Sequence, residues 1–291
     1  MQDHEPTVRS RELGDGLRRA MENAGLAGKD VAKLLDLSPS WVSRLISGKR
    51  NVSAVQASAF LAVCQAPSAE RERLLELCEE QHTPGWFQQH GSRLPLQLVT
   101  LIDHESIAVA ISSFESTLVP GLLQTGDYTR ALLKEAGRVS ADEIDNRVAT
   151  RLARQSMFSR ESPAGFTFYL HEFVLRLPVG GPAVMADQLQ HLERMSLRPY
   201  LTLRVVPAAL GPHAATAGPF TLMEFAEFKP VAYLESETSS LFLDQPVEID
   251  AYRGILAALA ETALGEGESR ELIATLATEF SADLEDYDDR A

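Results

Sequence analysis

From Ser38 to Arg50 the chain reads S-P-S-W-V-S-R-L-I-S-G-K-R, and the polar residues in it are of types and spacing suited to one task. On a helix begun at Pro39, the side chains of Pro39, Ser40, Ser43, Arg44 and Ser47 share one face, while Val42, Leu45 and Ile46 turn the other way. Short hydroxyl side chains let such a face approach the edges of base pairs, and the Arg44 guanidinium can reach a guanine or a phosphate. Lys49 and Arg50 leave the helix as natural phosphate contacts. Trp41 falls at the margin of this face, where it either packs on a thymine methyl or sugar–phosphate edge or covers the core. The chemistry expected is the reading of duplex DNA. The competing reading is an all-α protein-binding module whose polar face is merely solvated.

A reading helix must be held at a fixed angle. Ser38 sits where an N-cap belongs, Pro39 occupies the first helical position, where its missing N–H costs nothing, and Gly48 stops the helix. Before it, Lys29 to Leu35 reads as a second helix that turns Val31, Ala32, Leu34 and Leu35 inward. Val31, Ala32 and Leu35 form a wedge with Val42, Leu45 and Ile46; small Ala32 permits close approach, and Leu37 fills the turn. Lys29 and Lys33 join Arg44, Lys49 and Arg50 as the cations expected to face phosphate. Leu13, Leu17 and Met21, with Ala20 and Ala24, mark an earlier helix that Gly25 ends. Val55, Ala59, Phe60, Ala62 and Val63 mark a fourth, and Leu74, Leu75 and Leu77 a fifth. Residues 7–81 therefore read as an all-α, five-helix helix-turn-helix domain.

The charge distribution agrees. The 291-residue chain carries −14, yet residues 7–66 hold nine Lys/Arg against five Asp/Glu, a net +4 that leaves −18 for the remainder. A basic head on an acidic body is compatible with binding DNA through the head alone. No apolar run approaches the length of a spanning helix, and the N-terminus lacks an apolar signal core, so a cytoplasmic protein is expected. Cys64 and Cys78 form no metal pattern and are expected as buried, reduced thiols.

Residues 82–95, with the Gly/Pro-punctuated "TPGWFQQHGSRLP", read as a linker, and the texture then changes. Strand-like alternation appears in "IAVAISSF", "FTFYLHE", "LTLRVVP", "FTLMEF" and "VAYLES". Between them lie helical patterns: Ser140 with Glu143 as a capping box, Pro182 opening a helix with Met185, Leu189 and Leu192, and two late stripes, Ile249–Leu259 and Leu272–Phe280. Residues 96–281 are expected as a mixed α/β domain, with 282–291 an acidic tail. Within it, "VPGLLQTGDYTRALL" reads as a Pro-Gly turn followed by a helix capped by Thr125, a rigid docking corner more than a phosphate cradle, since no Lys follows its Gly. No metalloprotease, nucleophile-elbow, P-loop or dinucleotide motif is present, so neither enzyme activity nor a cofactor is expected. Glu172, His213 and Glu235 are the candidates for a ligand site near the strand ends, against the alternative of ordinary surface loops.

The stretch "GLRRAMENAGLAGKDVAKLLDLSPSWVSRLISGKRNVS" resembles the phage-repressor (xenobiotic-response-element, XRE) type of helix-turn-helix, although Gly28 stands where that family usually has Gln and Ile46 where Glu is common. The larger domain, through "VPGLLQTGDYTRALL", "RLARQSMF", "GFTFYLHEFVLR", "MADQLQHLERMS" and "LTLRVVPAALGPHAATAGPFTLMEF", resembles the C-terminal domain of WhiJ-like actinobacterial regulators. That resemblance implies a DNA-binding transcription regulator with a small BldB-like partner protein, in an antitoxin-like or developmental switch. A homodimeric, repressor-type regulator is the expectation, its large domain sensing that partner or a small-molecule effector. The alternatives are an enzyme acting on a small molecule and a purely structural assembly platform.

Overall fold

The computed structural model describes residues 6–80, 86–89, 96–137, 140–161, 163–236 and 239–288. In chain order its elements are α1 (Val8–Asn23), α2 (Gly28–Leu34), α3 (Pro39–Ile46), α4 (Ala54–Val63), α5 (Ser68–Glu80), β1 (Trp86–Gln89) and α6 (Leu96–Ile107). There follow β2 (Ala110–Glu115), α7 (Gly126–Ala136), α8 (Ala141–Arg154), β3 (Gly165–His171), α9 (Glu172–Arg176) and α10 (Pro182–Met195). The chain closes with β4 (Leu201–Val206), β5 (Phe220–Glu224), β6 (Val231–Glu235), β7 (Ser239–Leu243), α11 (Pro246–Thr262) and α12 (Glu266–Asp288). Two compact units result: the chain up to Leu101 together with Glu224–Ile249, and Ile102–Met223 together with Asp250 onward.

The first unit contains the five expected helices. Leu13, Leu17, Val31, Val42, Leu45, Phe60, Leu61 and Leu74 are fully enclosed at its centre. Leu34, expected to turn inward, lies outside it, as do Val55, Ala59 and Ala62 of the stripe that marks the fourth helix. Leu34 is 62% exposed and Val55 80% exposed. At about 100° per residue, Leu34 sits well off the stripe made by Val31, Ala32 and Leu35, and Val55 lies opposite Ala57, Phe60 and Leu61. Glu12 of α1 is buried against Arg73, 3.0 Å away, and accepts from the Thr100 hydroxyl at 3.1 Å. Burial pushes its carboxyl upward, and Arg73, Arg19 and Thr100 oppose that push.

Segments distant in sequence complete this unit. β6 and β7 pair antiparallel, and β1 lies antiparallel on β7 with Trp86 opposite Phe242. β1 falls within the stretch expected as a linker; the rest of 82–95 lies outside the described residues. Asp244, just after β7, accepts from the Val8 backbone N–H at 3.2 Å. A buried carboxylate thus meets the positive end of α1, where Thr7 also caps Ser10.

In the second unit β2, β3 and β4 run parallel, with Ile111 opposite Phe166 and Phe168 opposite Leu203, and β5 neighbours β2. α7 and α8 lie between β2 and β3 in sequence, α9 and α10 between β3 and β4, as parallel crossovers require. α10 packs on α12, and α12 on β4. Three carbonyls at the end of α11 (Ala260, Ala263, Leu264) accept from the Arg204 guanidinium at 2.6–2.8 Å. The second domain is therefore mixed α/β, as expected. Ser140 does stand at the N-cap of α8, but its side chain makes no capping bond; its carbonyl accepts from Glu143 and Ile144 instead. α12 runs on to Asp288, through most of the stretch expected as an acidic tail, and residues 289–291 lie outside the described residues.

Both cysteines are buried thiols outside any disulfide; Cys78 Sγ donates to the Val52 carbonyl, and burial pushes the Cys64 thiol to about 11. Little thiolate forms near neutrality, so neither should react with a disulfide reagent until the first unit unfolds. Titration with 5,5′-dithiobis(2-nitrobenzoate) across a urea series checks this; rapid labelling in native buffer would contradict it.

Candidate nucleic-acid interface

α3 is short and sharply begun. Ser38 Oγ accepts from the Trp41 N–H at 3.1 Å, and Pro39 occupies the first turn. The inner side of α3 is Val42 and Leu45; both are enclosed, as are Val31 and Ala32 of α2, the helix on which α3 packs. Pro39, Ser40 and Ser43 are exposed, and Arg44, Ser47, Lys49 and Arg50 partly so. Ser38 and Ser40 hydroxyls lie 3.1 Å apart, the Arg44 Nε donates to the Ser40 carbonyl, and the Ser47 hydroxyl turns back onto the Arg44 carbonyl. Lys29 and Lys33 are exposed on α2. Trp41 is buried at 8% exposure, with the Arg50 guanidinium 5.3 Å from the centre of its ring. Of the two placements open to Trp41, the structure shows the covering one.

The end of α3 is seated on one stripe of α1. A Cβ at Gly14 would come within 2.8 Å of the Ile46 carbonyl and 2.9 Å of that of Leu45. Arg18, one turn on, donates to the same Ile46 carbonyl at 3.0 Å. Gly48 has φ +71, and a Cβ there would meet Arg11 Cα at 3.0 Å, so glycine serves both the left-handed turn and the close approach. Arg11, Gly14 and Arg18 thus fix where Lys49 and Arg50 emerge. Lys49 itself is occupied: its Nζ lies 2.7 Å from Glu227 Oε2 and 5.9 Å from the Phe228 ring centre. Nothing in the sequence near Lys49 signals this, because the partner is 178 positions away.

In the second unit the "VPGLLQT" string is a braced corner. The Gln124 amide donates to the Val119 carbonyl, while its own carbonyl oxygen accepts from Thr129 and from Arg151 at 2.6 Å. Gln188 of α10 donates to the Leu123 carbonyl and accepts from the Thr125 N–H, and Thr125 caps Tyr128. The Val119 and Leu123 carbonyls and the Thr125 N–H of this corner are thus spent on holding its shape. Of the three ligand candidates, Glu172 is engaged by the Ala208 N–H at 2.9 Å and by Arg176 at 2.8 Å, which hold its carboxyl below the usual range. His213 lies edge-on to Phe114 and 5.8 Å from His171, and burial, with the His171 charge, lowers its imidazole. Glu235 ends β6 in the first unit, opposite Ser240. A groove of about 670 Å³ lies elsewhere in the second unit, between α7 and the Leu177–Gly181 loop, with Leu118, Ala131 and Val184 among its lining. Its signal in the sequence is Gly180, at φ +72, whose missing Cβ lets the loop close on Ala131. Among the described residues no group of three potential metal ligands gathers, and no helix is long and apolar enough to cross a membrane.

Comparison with known proteins finds two families, the second over a stretch that includes Glu224–Ile249 of the first compact unit. Residues 12–74 match the family described as "Helix-turn-helix domain", and residues 98–275 that described as "Domain of unknown function (DUF5753)". No curated protein matches. A solved structure described as "Structure of TrmBL2, an archaeal chromatin protein, shows a novel mode of DNA binding" aligns at 10% identity with a TM-score of 0.28. The alignment covers 70% of this chain and 64% of the other.

Proposed function

Because the chain belongs to the DUF5753 family and carries a helix-turn-helix domain ahead of that domain, we propose that it is a DNA-binding transcription regulator of the repressor type. The observation that carries this reading is the face of α3: Ser40, Ser43 and Arg44 are presented outward by an enclosed wedge, beside a cationic exit. Bound as a homodimer, two such faces would read half-sites of a near-palindromic operator. The ordered strings of the larger domain support a WhiJ-like regulator, in which that domain answers to a small BldB-like protein or a small-molecule effector. The groove beside α7 is a place of suitable size for the latter. No catalytic role is proposed for any residue.

The test is Arg44→Ala. The side chain is partly exposed, so its removal should leave the fold intact while lowering operator affinity by about 1–3 kcal/mol and shrinking the preference for operator over random DNA. Anisotropy titrations against both duplexes measure this, with the operator found by selection from random sequence. If the preference is unchanged, Arg44 does not read bases.

A further inference from the structure

The segment joining β5 to β6 reads E-F-A-E-F-K, Glu224 to Lys229, with two phenylalanines three apart and a glutamate just before the second. It belongs to the same compact unit as α1 and α3. Its anchor is Arg11, whose guanidinium carbon lies 4.6 Å from the Phe225 ring centre and 5.0 Å from that of Phe228. Arg11 is 5% exposed, and its Nε, Nη1 and Nη2 have no hydrogen-bond partner among the described residues. Burial lowers its pKa to about 10, against the opposing influence of Asp15 and Asp244. A cation so desolvated is held by the faces of the two rings, so the loop is fixed to α1 at the point where Gly48 touches Arg11. The loop thereby sets Glu227 against the residue that follows Gly48.

We propose that Glu227 is a resident occupant of the phosphate position at Lys49, a carboxylate that a DNA phosphate must displace before Lys49 can contact the backbone. This rests on the reading of α3 as a DNA-facing helix. The two anions make the same demand on an ammonium, one charge-assisted hydrogen bond, so they compete for one place. The resident is replaceable: Glu227 is 68% exposed and Lys49 38%, and an ion pair this open to water is weak. Lys49 already neutralised by Glu227 adds nothing to the binding of arbitrary sequence. Glu227 thus suppresses backbone affinity and leaves the base contacts of α3 a larger share of the discrimination.

Glu227→Gln keeps the shape of the side chain and removes its charge. Affinity of the whole 291-residue chain for random-sequence duplex should rise about 3–10-fold near physiological salt, with log affinity falling more steeply with log salt, by about 0.9 for each subunit engaged. The ratio of operator to random affinity should fall. The gain should vanish when Lys49→Ala is added, since Glu227 acts through that amine. Without DNA, acetylation of the Lys49 amine by an N-hydroxysuccinimide ester, followed by peptide mass analysis, should be faster in Glu227→Gln. Unchanged affinity and salt slope in Glu227→Gln, an unchanged acetylation rate, or a gain that persists in the double variant would each overturn the proposal. A wild type that shows Arg44-dependent preference but no Lys49-dependent gain in Glu227→Gln sinks this inference alone. A wild type that retains no duplex at low salt removes the DNA-reading proposal, and this one with it.

Discussion

Arg154→Met should destabilise the protein by about 3–5 kcal/mol, because it leaves one member of a buried ion pair without its partner. Arg154 ends α8, and its Nε and one terminal nitrogen donate to the two oxygens of Glu105 on α6 at 2.9 and 2.6 Å. The side chains are only 8% and 5% exposed, so water cannot replace what is lost. Methionine fills much of the volume but donates nothing, and the Glu105 carboxylate stays where it was. The pair also supports the braced corner: Arg151, one turn earlier on α8, holds Gln124, and a Cβ on Gly121 would lie 3.5 Å from Arg154. The double variant Glu105→Leu/Arg154→Met removes both charges and should recover a large part of the loss, since an apolar pair of similar size is often as stable as a buried ionic one. Urea denaturation of the wild type and both variants, followed by far-ultraviolet circular dichroism, measures this. A single-variant loss below about 1 kcal/mol would show that the pair is open to solvent and worth no more than a surface bridge.

What the sequence disclosed about the head was what local chemistry decides. Ser38 and Pro39 start α3 through their own backbone geometry, Gly48 ends it through its φ, and Thr125 caps α7 in the same way. Each of these acts within four residues, so a linear reading reaches it. Trp41 was ambiguous because its placement depends on Arg50, nine positions on, coming to lie over its ring. Leu34 is apolar and reads as inward, and Val55 marks the fourth helix, yet their angular positions put both on the outer side of short helices. The capping pattern Ser140-x-x-Glu143 was present, yet the serine bonds through its carbonyl.

The five strands expected from alternation all form, but β1 and β7 do not show in the pattern, for definable reasons. In β7 the inward positions are Ser240 and Phe242, and Ser240 is buried with its hydroxyl 3.2 Å from that of Tyr233. A buried serine breaks the apolar rhythm from which strands are recognised. β1 is four residues in a Gly/Pro-rich stretch, and antiparallel pairing with a strand some 150 positions later makes it a strand at all. The same separation hid the most consequential feature of the candidate site. Lys49 belongs to a string that reads as a free basic exit, and only the folded chain brings Glu227 to it. Arg11, too, looks in sequence like one more cation of a basic head; burial between two phenylalanines makes it an anchor.

Leu45→Ala is the change expected to cost the head most. Leu45 is 1% exposed on the inner side of α3, opposite the face that carries Ser40 and Arg44. Removing a buried leucine loses its transfer free energy and leaves a void whose cost depends on how far the neighbours can close it. Here they can close little. α1 is already at backbone contact with the end of α3, where a Cβ on Gly14 would meet the Leu45 and Ile46 carbonyls below 3 Å, and Val31 and Val42 are fully enclosed with Ala32 beside them. A loss of about 2–5 kcal/mol is therefore expected. Both tryptophans, Trp41 and Trp86, belong to the first compact unit, so urea titration followed by their fluorescence reports on the unit that carries the change. In conditions where Leu45→Ala remains folded, its preference for operator over random DNA should be retained, because no group on the outward face has been altered, whereas Arg44→Ala should lose preference with little change in the fluorescence midpoint. Leu45→Ala that is as stable as wild type would mean that α3 is not held by the wedge described here, and its outward face would then have no fixed angle from which to read a groove.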